Sequence, residues 1–313
     1  MAGSLLELPS AFVERPAVVA VGNFDGVHRG HQALLAEAAR MAGELAATPY
    51  ALTFWPHPAQ VLAGKTPTLL TALPRRAELV LEAGMRALLV QRFDRAFAQL
   101  SPEAFFERLL VRELGAKGVV VGGDFRFGRD RAGDGATLEA LGRAHGVRVF
   151  SVRMVEDDAG PVGSRRIRQA IADGDVRTAA ALLGRPHAIE GVVERGAQRG
   201  RTLGFPTANV ATGEVQVPAV GVYAALVSAA PLGPGRKLAV VNVGHRPTLA
   251  DGRGLTVEAH VLGASTDLYG ASMRVEFLER LRGEQRFDGL ESLKRAIAAD
   301  CEAARALAPA EAP

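Results

Sequence analysis

The sequence predicts an α/β protein in two parts: a parallel, doubly wound sheet, then an antiparallel β-barrel or sandwich with a closing helix. The chain has 313 residues, and at about 150 residues per domain this length favours two domains. In the first half short apolar runs alternate with helical patterns, which is typical of parallel sheets. Beyond Pro186, β-rich pieces follow one another without helices between them. We therefore expect a boundary near Arg185, with domains at 1–184 and 185–313.

The elements of the first domain follow from the spacing of its apolar residues. Apolar runs predict five strands, over residues 17–21, 50–54, 87–90, 119–121 and 147–152. Helical spacing predicts helices over 32–45 and 73–83. A further helix is expected from Pro102, because serine followed by proline at Ser101–Pro102 suits the N-cap and first helical positions.

The second domain is predicted as β-rich until its last helix. Turn residues separate six β-rich pieces, over residues 188–193, 207–210, 221–227, 237–243, 256–262 and 272–278. A closing helix is predicted over 289–307, because Leu290, Leu293, Ile297 and Cys301 recur at helical spacing.

Composition excludes several classes of protein. Lys plus Arg number 37 against 34 Asp plus Glu, and the arginines are spread along the chain, so no basic stripe indicates a nucleic-acid partner. The single cysteine, Cys301, excludes an intramolecular disulfide and a cysteine-cluster metal site. No run approaches the roughly 20 apolar residues of a membrane span, and the start lacks a signal-peptide pattern. We expect a cytoplasmic protein without a membrane partner.

The first motif, residues 22–31, reads Gly-Asn-Phe-Asp-Gly-Val-His-Arg-Gly-His and joins the first predicted strand to the first predicted helix. Nucleotides bind at such junctions in open parallel sheets. His28 and His31 share one helix face, the helix N-terminus favours phosphate, and Gly30 would allow close approach of a nucleotide. These parts suit attack on an α-phosphate with pyrophosphate leaving. Zinc ligation and two surface histidines are the alternatives.

This motif resembles the His-x-Gly-His signature of nucleotidyltransferases, and the longer string resembles the prokaryotic bifunctional riboflavin kinase/FAD synthetases. Residues 54–58, Phe-Trp-Pro-His-Pro, and 122–128, Gly-Gly-Asp-Phe-Arg-Phe-Gly, are similar to other stretches of that family. The resemblance implies a Rossmann-like nucleotidyltransferase domain. It implies ATP binding by Gly22, Phe24, Asp25, Gly26 and Gly30, and catalysis by His28 and His31. It implies flavin binding by Asp124, Phe125 and Phe127, although alone the two phenylalanines fit a core equally well.

The family's second nucleotide motif, Ile-Ser-Ser-Thr-x-Ile-Arg, is similar to residues 162–168, Val-Gly-Ser-Arg-Arg-Ile-Arg. Ser164 and Arg168 match and are expected to bind ATP, with Ser164 as the N-cap of a helix. Gly163 and Arg165 depart from the family's serine and threonine. One alternative is a capped helix with solvated arginines. Another is a riboflavin kinase with weakened or absent adenylyltransferase activity.

The segment 203–209, Leu-Gly-Phe-Pro-Thr-Ala-Asn, follows a Gly- and Arg-rich stretch. On an extended chain Thr207 and Asn209 point to the same face, and their hard oxygens suit Mg²⁺ beside nucleotide phosphate. The string resembles the family's riboflavin kinase module, which implies a β-barrel, Mg²⁺ ligation by these two residues, and ATP binding by Gly196, Gly200 and Arg201. Without the resemblance, the two would be solvated polar residues at a strand entry.

Glu258 alternates with apolar Val257, Ala259 and Val261, so it faces the other side of its predicted strand. The segment resembles the family's strand that carries the catalytic carboxylate, and phosphorylating an alcohol needs a base near the hydroxyl. The alternative is a glutamate on the wet face of a strand. Residues 281–287 are similar to the stretch where the family's arginine lies beside the flavin, which implies flavin binding by Arg282.

Together these resemblances imply a bifunctional enzyme of flavin cofactor synthesis. The second domain would phosphorylate riboflavin with ATP to give FMN, and the first would join FMN to AMP to give FAD and pyrophosphate. Mg²⁺ would serve both steps, and the oligomeric state stays open. A flavin-binding carrier or regulator without turnover is the alternative from another class.

Overall fold

A computed structural model describes residues 5–8, 13–195, 204–245, 255–264 and 266–307. The chain forms two compact units: Met1–Pro67 with Thr71–Ser164, and Thr68–Leu70 with Arg165–Pro313. Residues 165–184, which the sequence analysis assigns to the first domain, group with the second unit. The functional boundary near Arg185 stays a prediction.

The first unit contains a six-stranded parallel sheet in the order β1-β4-β3-β2-β5-β6. Its strands are β1 (Leu5–Glu7), β2 (Ala17–Val21), β3 (Thr48–Trp55), β4 (Ala87–Arg92), β5 (Ala116–Gly122) and β6 (Arg148–Val152). The five predicted strands are confirmed. The sequence analysis missed β1, whose three residues pair in parallel with β4 and are too few for a periodic pattern.

Helices cover both faces of this sheet. They are α1 (Arg29–Glu44), α2 (Pro58–Ala63), α3 (Leu73–Glu82), α4 (Pro102–Phe105) and α5 (Gly135–His145). A π-helical segment, Phe106–Glu113, continues α4, and 3₁₀ turns span Phe97–Gln99 and Arg129–Arg131. Side chains of β2 alternate between the two cores, with Val19 and Val21 in one and Val18 and Ala20 in the other. The doubly wound prediction is therefore confirmed.

Ser101 caps α4 as predicted, since its side chain accepts the N–H of Ala104 at 3.2 Å. The strands β7 (Glu156–Asp157) and β8 (Gly160–Pro161) form a small antiparallel pair. The helix α6 (Ser164–Ala172) follows, and α7 (Val176–Leu183) leads into the second unit's strands. The first helix begins at Arg29 rather than at the predicted residue 32, because the Gly-rich motif itself supplies the first turn.

The second unit is a closed antiparallel barrel in the order β10-β13-β12-β11-β14-β9, which decides for the barrel over the sandwich. Its strands are β9 (His187–Glu194), β10 (Ala208–Thr212), β11 (Gly221–Ala229), β12 (Lys237–His245), β13 (Leu255–Val261) and β14 (Ser272–Arg282). A 3₁₀ turn spans Ala230–Leu232. The closing helix α8 (Leu290–Ala306) packs Cys301 and Ala304 on the outer face of the barrel. Cys301 is therefore an apolar filler, as predicted.

Candidate active sites

The first candidate site lies at the carboxyl end of β2, in residues 22–28. From β2 the chain continues through β3 and β4 on one side of the sheet and through β5 and β6 on the other. This reversal is the topological switch point at which open parallel sheets bind ligands. The topology therefore places the predicted nucleotide motif where such a fold offers a binding crevice.

The backbone of this turn holds three residues in the left-handed region: Phe24 at φ 50°, Gly26 at φ 87° and Val27 at φ 39°. Glycine adopts this region freely, whereas each of the other two pays about 1–2 kcal/mol. Such strain persists only where surrounding contacts fix the backbone. Phe24 and Val27 supply part of that constraint, because both side chains are buried.

A buried polar network supplies the rest. Arg76 of α3 and Asp25 are each 2% exposed, and the guanidinium donates to Asp25 Oδ1 at 3.1 Å. The same guanidinium donates to the carbonyl oxygens of Asn23 at 2.9 Å and Thr71 at 3.1 Å. Thr71 donates its N–H to Asp25 Oδ1 at 3.1 Å, and its hydroxyl oxygen accepts the N–H of Gly26 at 3.0 Å.

The sequence analysis missed Arg76 and Thr71. A signal exists for Arg76, because it lies three residues after Leu73 and four before Val80, on the helix face that Ala77 and Val80 bury. A charge on an apolar face is unusual unless it has a partner. The partner could not be identified from the sequence, since Asp25 lies 51 residues earlier.

The two predicted catalytic histidines lie together at the start of α1. His28 is the N-cap, and its Nδ1 accepts the N–H of His31 at 3.4 Å, a long bond. Their rings stack with centroids 3.7 Å apart. A Cβ on Gly30 would lie 3.2 Å from the His28 ring. The absence of a side chain at Gly30 thus makes room for His28, and close approach of a nucleotide there stays a prediction.

The electrostatic environment keeps His31 neutral. Burial lowers the pKa of His31 well below its ordinary value, and the electrostatic interactions with His28 and Arg76 lower it further. Its buried Nδ1 has no hydrogen-bond partner among the described residues. A neutral imidazole donates one hydrogen bond and accepts another, so this ring can position a phosphate oxygen without carrying a charge.

Ser164, the last residue of the first unit, contacts the same turn. Ser164 donates its hydroxyl hydrogen to the carbonyl oxygen of Asp25 at 3.0 Å. The predicted N-cap role of Ser164 is wrong, because the helix already includes Ser164 as its first residue. Within the first unit, the N-terminus of α1 adjoins residues 22–28, an arrangement that favours an anion.

Other predicted residues of the first motif set have defined places. A Cβ on Gly22 would lie 3.3 Å from the Phe24 ring, so glycine there permits the ring's position. In the second unit, Arg168 Nε donates to the carbonyl oxygen of Thr68 at 2.7 Å. That bond uses one N–H of the guanidinium, and an ATP contact by Arg168 stays a prediction.

An aromatic cluster adjoins the predicted flavin loop. Phe125 and Phe127 stack with centroids 5.5 Å apart, and Phe127 packs on Phe105 at 5.4 Å. Further ring contacts extend the cluster through Phe97 and Phe54. Phe127 is buried, as a core aromatic would be, whereas Phe125 is half-buried and Asp124 is exposed. Ring area for stacking is therefore available beside the predicted loop.

The second candidate site is a row of polar side chains across the outside of the barrel. Asn209 of β10 lies directly opposite Glu258 of β13 and Glu194 of β9, and Glu258 lies opposite Asn242 of β12. Directly opposed residues share a face of the sheet. The row faces outward, because the alternating neighbours are packed in the barrel core: Val193, Val210, Val243 and Val257.

Thr207 precedes β10 by one residue and is half-buried, and Asn209 is half-buried too. Ala208 between them faces the core, which supports the predicted common face of Thr207 and Asn209. A cavity of about 580 Å³ adjoins Asn209, lined also by Glu194, Thr212, Thr256 and Thr68. The sequence analysis missed Glu194 and Asn242, because cross-strand register cannot be obtained from one strand's pattern.

His260, two residues beyond Glu258 on the same face of β13, fastens the segment that carries Thr207. Its Nδ1–H donates to the carbonyl oxygen of Pro206 at 2.8 Å, and its ring meets the Phe205 ring at 5.5 Å, edge to face. A carbonyl only accepts, so the hydrogen is on Nδ1. The register of β13 thus holds residues 205–207 beside Glu258.

Arg282 lies at the end of β14, where Asp300 of α8 holds it. The guanidinium donates to both carboxylate oxygens of Asp300 at 2.8–3.2 Å and lies 5.5 Å from the centroid of the Phe287 ring. This arrangement fixes its orientation, and contact with a flavin stays a prediction. The predicted ATP-binding residues Gly196, Gly200 and Arg201 lie outside the described residues.

Comparison with known proteins identifies both halves of the chain. The family model for FAD synthetase matches residues 11–166, and the one for riboflavin kinase matches residues 183–308. The bifunctional riboflavin kinase/FMN adenylyltransferase of Escherichia coli (strain K12) is 41% identical over 286 residues, 90% of each chain. That of Pseudomonas fluorescens is 42% identical over 297 residues, 94% of each chain.

A solved structure agrees on the fold of the whole chain. The crystal structure of a macrolide-efflux protein from Streptococcus pneumoniae matches with a TM-score of 0.88 at 31% identity, covering 96% of this chain and 98% of that one. Its name describes that protein; in the described part of this chain, no helix has the length and apolarity that crossing a membrane requires. The two family models and the curated relatives confirm the resemblance found in the sequence, and the chain belongs to the bifunctional riboflavin kinase/FMN adenylyltransferase family.

Proposed function

We propose that this enzyme phosphorylates riboflavin to FMN at the polar row of its barrel and adenylylates FMN to FAD at the turn of residues 22–28. The observation that carries the proposal is that one chain contains both candidate sites. His28 and His31 stack at a switch point of the sheet, and Glu258 lies opposite Asn209 in the barrel. Membership of a bifunctional family supports both activities.

In the adenylyl step, a phosphate oxygen of FMN attacks the α-phosphorus of ATP, and the bond to the β-phosphate oxygen breaks to release pyrophosphate. The step needs positioning and charge stabilisation rather than a protein nucleophile. The N-terminus of α1 favours the ATP phosphates, and the neutral His31 and adjacent His28 offer hydrogen bonds to them. Gly22, Phe24, Asp25 and Gly26 shape the crevice, and Ser164 and Arg168 are assigned to the ATP of this step on the family resemblance alone.

The flavin ring in this step is assigned to the aromatic cluster. Half-buried Phe125 offers a ring face that is already stacked on Phe127, so an isoalloxazine can extend the stack without unfolding it. Asp124, exposed beside this stack, offers a hydrogen-bond acceptor. In the kinase step, the flavin is assigned to Arg282, which Asp300 already orients.

Glu258 is the base of the kinase step. Its carboxylate accepts the proton of the ribityl 5′-hydroxyl as the oxygen attacks the γ-phosphorus of ATP, and ADP leaves. The outward face of β13 directs Glu258 toward the row that contains Asn209. Gly196, Gly200 and Arg201 are assigned to the ATP of this step on the family resemblance alone.

Mg²⁺ fits the donor set of the second site. Thr207 and Asn209 offer two hard oxygens on one face, and carboxylates of Glu194 and Glu258 flank Asn209. Mg²⁺ takes few protein ligands beside water and nucleotide phosphate. Groups of three His, Cys, Asp or Glu able to hold a metal do not occur in the described residues, so the two neutral ligands and the nucleotide would share the ion. When bound, Mg²⁺ neutralises charge on the ATP phosphates.

The test is direct. The protein is incubated with riboflavin, ATP and Mg²⁺, and the flavins are separated by chromatography. FMN followed by FAD is the expected result. FMN without FAD would favour the riboflavin kinase alternative, to which Gly163 and Arg165 point, and unchanged riboflavin would favour a non-catalytic flavin-binding protein. Both results would contradict the proposal. The expected cytoplasmic location also stays a prediction.

A further inference from the structure

The buried cation of the first unit has a geometry beyond what packing requires. Arg76 donates to three oxygens, of which two belong to the turn, at Asn23 and Asp25, and the third to Thr71. A buried charge is costly unless it is paired and hydrogen-bonded. Apolar residues fill the rest of this helix face at Ala77 and Val80, so an apolar side chain would serve a core that needed only volume.

The network acts on the strained part of the turn. It fixes the backbone at Asn23, at Gly26 through Thr71, and the carboxylate of Asp25. These residues flank Phe24 and precede Val27, the two non-glycine residues in the left-handed region. His28 follows immediately and both caps α1 and stacks on His31. The position of the two imidazoles is therefore set by a backbone that the Arg76 network holds.

We propose that Arg76 is a positioning residue for adenylyl transfer, acting through Asp25 and Thr71 to hold the turn that carries His28 and His31. The proposal rests on the proposed function of this turn in FAD formation. Arg76 also has an electrostatic effect, because its charge is one of the three causes that lower the pKa of His31. The charged or titratable groups around His31 in this network are Arg76, Asp25 and His28.

The experiment compares Arg76→Met, Arg76→Lys and the matched control Arg75→Met. Arg75 is the preceding residue of α3, but it pairs with Glu78 and Glu82 along the helix surface. Each variant is assayed for FAD formation from FMN and ATP, and for FMN formation from riboflavin. The second assay reports on the other unit of the same molecule.

Arg76→Met is expected to lower kcat for FAD formation about 100-fold, the cost of misplacing catalytic groups by about 1 Å. Its FMN formation is expected to stay within about twofold of wild type. Arg76→Lys keeps the positive charge but loses the planar set of guanidinium N–H donors. Its kcat for FAD formation should therefore lie between those of wild type and Arg76→Met. Arg75→Met is expected to keep both activities within about twofold. FAD formation by Arg76→Met within about twofold of wild type would overturn the proposal.

Loss of folding in the first unit is separated by two further measurements. Trp55 is the single tryptophan and lies in β3, so its fluorescence reports the unfolding of that unit. The double variant Asp25→Asn, Arg76→Met removes both charges and leaves no unpaired carboxylate. The Trp55 fluorescence of this double variant is expected to show a cooperative unfolding transition, which indicates that the first unit is folded. Its rate of FAD formation should nevertheless be at least about 30-fold lower than that of wild type. A folded double variant with wild-type FAD formation would refute the positioning role.

The titration of His31, followed by NMR of its ring, gives a readout that simple destabilisation does not move. Arg76→Met should raise the His31 midpoint, since one cation is removed, whereas Arg76→Lys should leave it near that of wild type. Equal midpoints in wild type and Arg76→Met would show that Arg76 does not act on His31. If wild type forms no FAD, the proposed function fails. If wild type forms FAD and the Arg76 variants form it at the same rate, only the positioning role of Arg76 fails.

Discussion

His260 shows how a single residue outside the predicted set supports the kinase site. It lies on the same face of β13 as Glu258 and donates to the carbonyl oxygen of Pro206, next to Thr207. The hydrogen bond fixes the strand entry that carries the proposed Mg²⁺ ligands. His260 and Pro206 lie 54 residues apart in the sequence, so the contact could not be identified from a local pattern.

We predict that His260→Ala raises the KM for ATP in FMN formation about fivefold, because a hydrogen bond worth about 1 kcal/mol no longer holds residues 206–207. His260→Asn should retain most of the activity, because an amide N–H can replace the Nδ1–H. Steady-state kinetics of both variants provides the measurement, with FAD formation from FMN as the control. Equal KM values in wild type and His260→Ala would contradict the prediction.

The buried His31 leads to a second prediction, which concerns how the free energy of unfolding depends on pH. Its pKa in the folded protein lies well below the ordinary value of about 6.5, chiefly because of burial. Between the two pKa values the unfolded chain binds a proton that the folded protein does not. The free energy of unfolding therefore falls as the pH drops below about 6.5, down to the folded pKa.

His31→Gln should remove this contribution and flatten the profile between about pH 6.5 and pH 5. Urea unfolding followed by Trp55 fluorescence measures the first unit. Parallel pH profiles for wild type and His31→Gln would show that burial of a neutral His31 does not contribute.

At the scale of elements, the start of α1 is where the sequence and the fold agree most closely. The strand and the helix were predictable from apolar spacing, the turn from its glycines, and the common face of His28 and His31 from their spacing of three residues. The left-handed backbone at Phe24 and Val27 was not, since neither residue favours it. Long-range contacts impose that backbone, and no local pattern contains them.

Two glycines of α1 provide a matched pair of substitutions. A Cβ at Gly30 meets the buried His28 ring at 3.2 Å, whereas a Cβ at Gly43 meets nothing within 4 Å. We predict that Gly30→Ala lowers FAD formation about tenfold by displacing His28. Gly43→Ala should leave activity unchanged and raise the free energy of unfolding by about 0.5–1 kcal/mol. FAD assays and Trp55-monitored unfolding of both variants test this pair, and equal activities would refute the steric explanation.

The strands of the barrel show the corresponding limit of sequence analysis. Alternation predicted that Glu258 faces away from Val257 and Ala259, and the barrel core confirms that face. The neighbours of Glu258 across β10 and β12, Asn209 and Asn242, depend on register. Register is set by turns and by closure of the barrel, so the row could be recognised only in the structure.

At the scale of the molecule, residues 165–184 extend the unit that contains the barrel. In the second unit Val176 joins the barrel core, the N–H of Ala219 donates to the carbonyl oxygen of Ile171 at 3.2 Å, and Leu182 and Leu183 are buried. Sequence analysis assigned these residues to the first domain, because the β-rich pieces begin only beyond Pro186. The sequence analysis predicted the first of these helices, which begins near Ser164, but not α7, and the sequence pattern contains no information about which core either helix joins.

We predict that a fragment of residues 165–313 unfolds at higher urea concentration than one of residues 185–313. Each fully buried aliphatic side chain contributes about 1.5–3 kcal/mol, so the difference should be at least about 3 kcal/mol. Circular dichroism of both fragments gives the measurement. Equal stability would place α6 and α7 outside the barrel's cooperative unit and would support a division at residue 185.

The central claim is that one chain carries two separate sites, and two variants test it most directly. Wild type, Glu258→Gln and His31→Ala are each supplied with riboflavin or with FMN, together with ATP and Mg²⁺, and the products are separated by chromatography. Glu258→Gln should form no FMN from riboflavin yet form FAD from supplied FMN, whereas His31→Ala should form FMN but no FAD. Equal loss of both steps in either variant would contradict two separate sites.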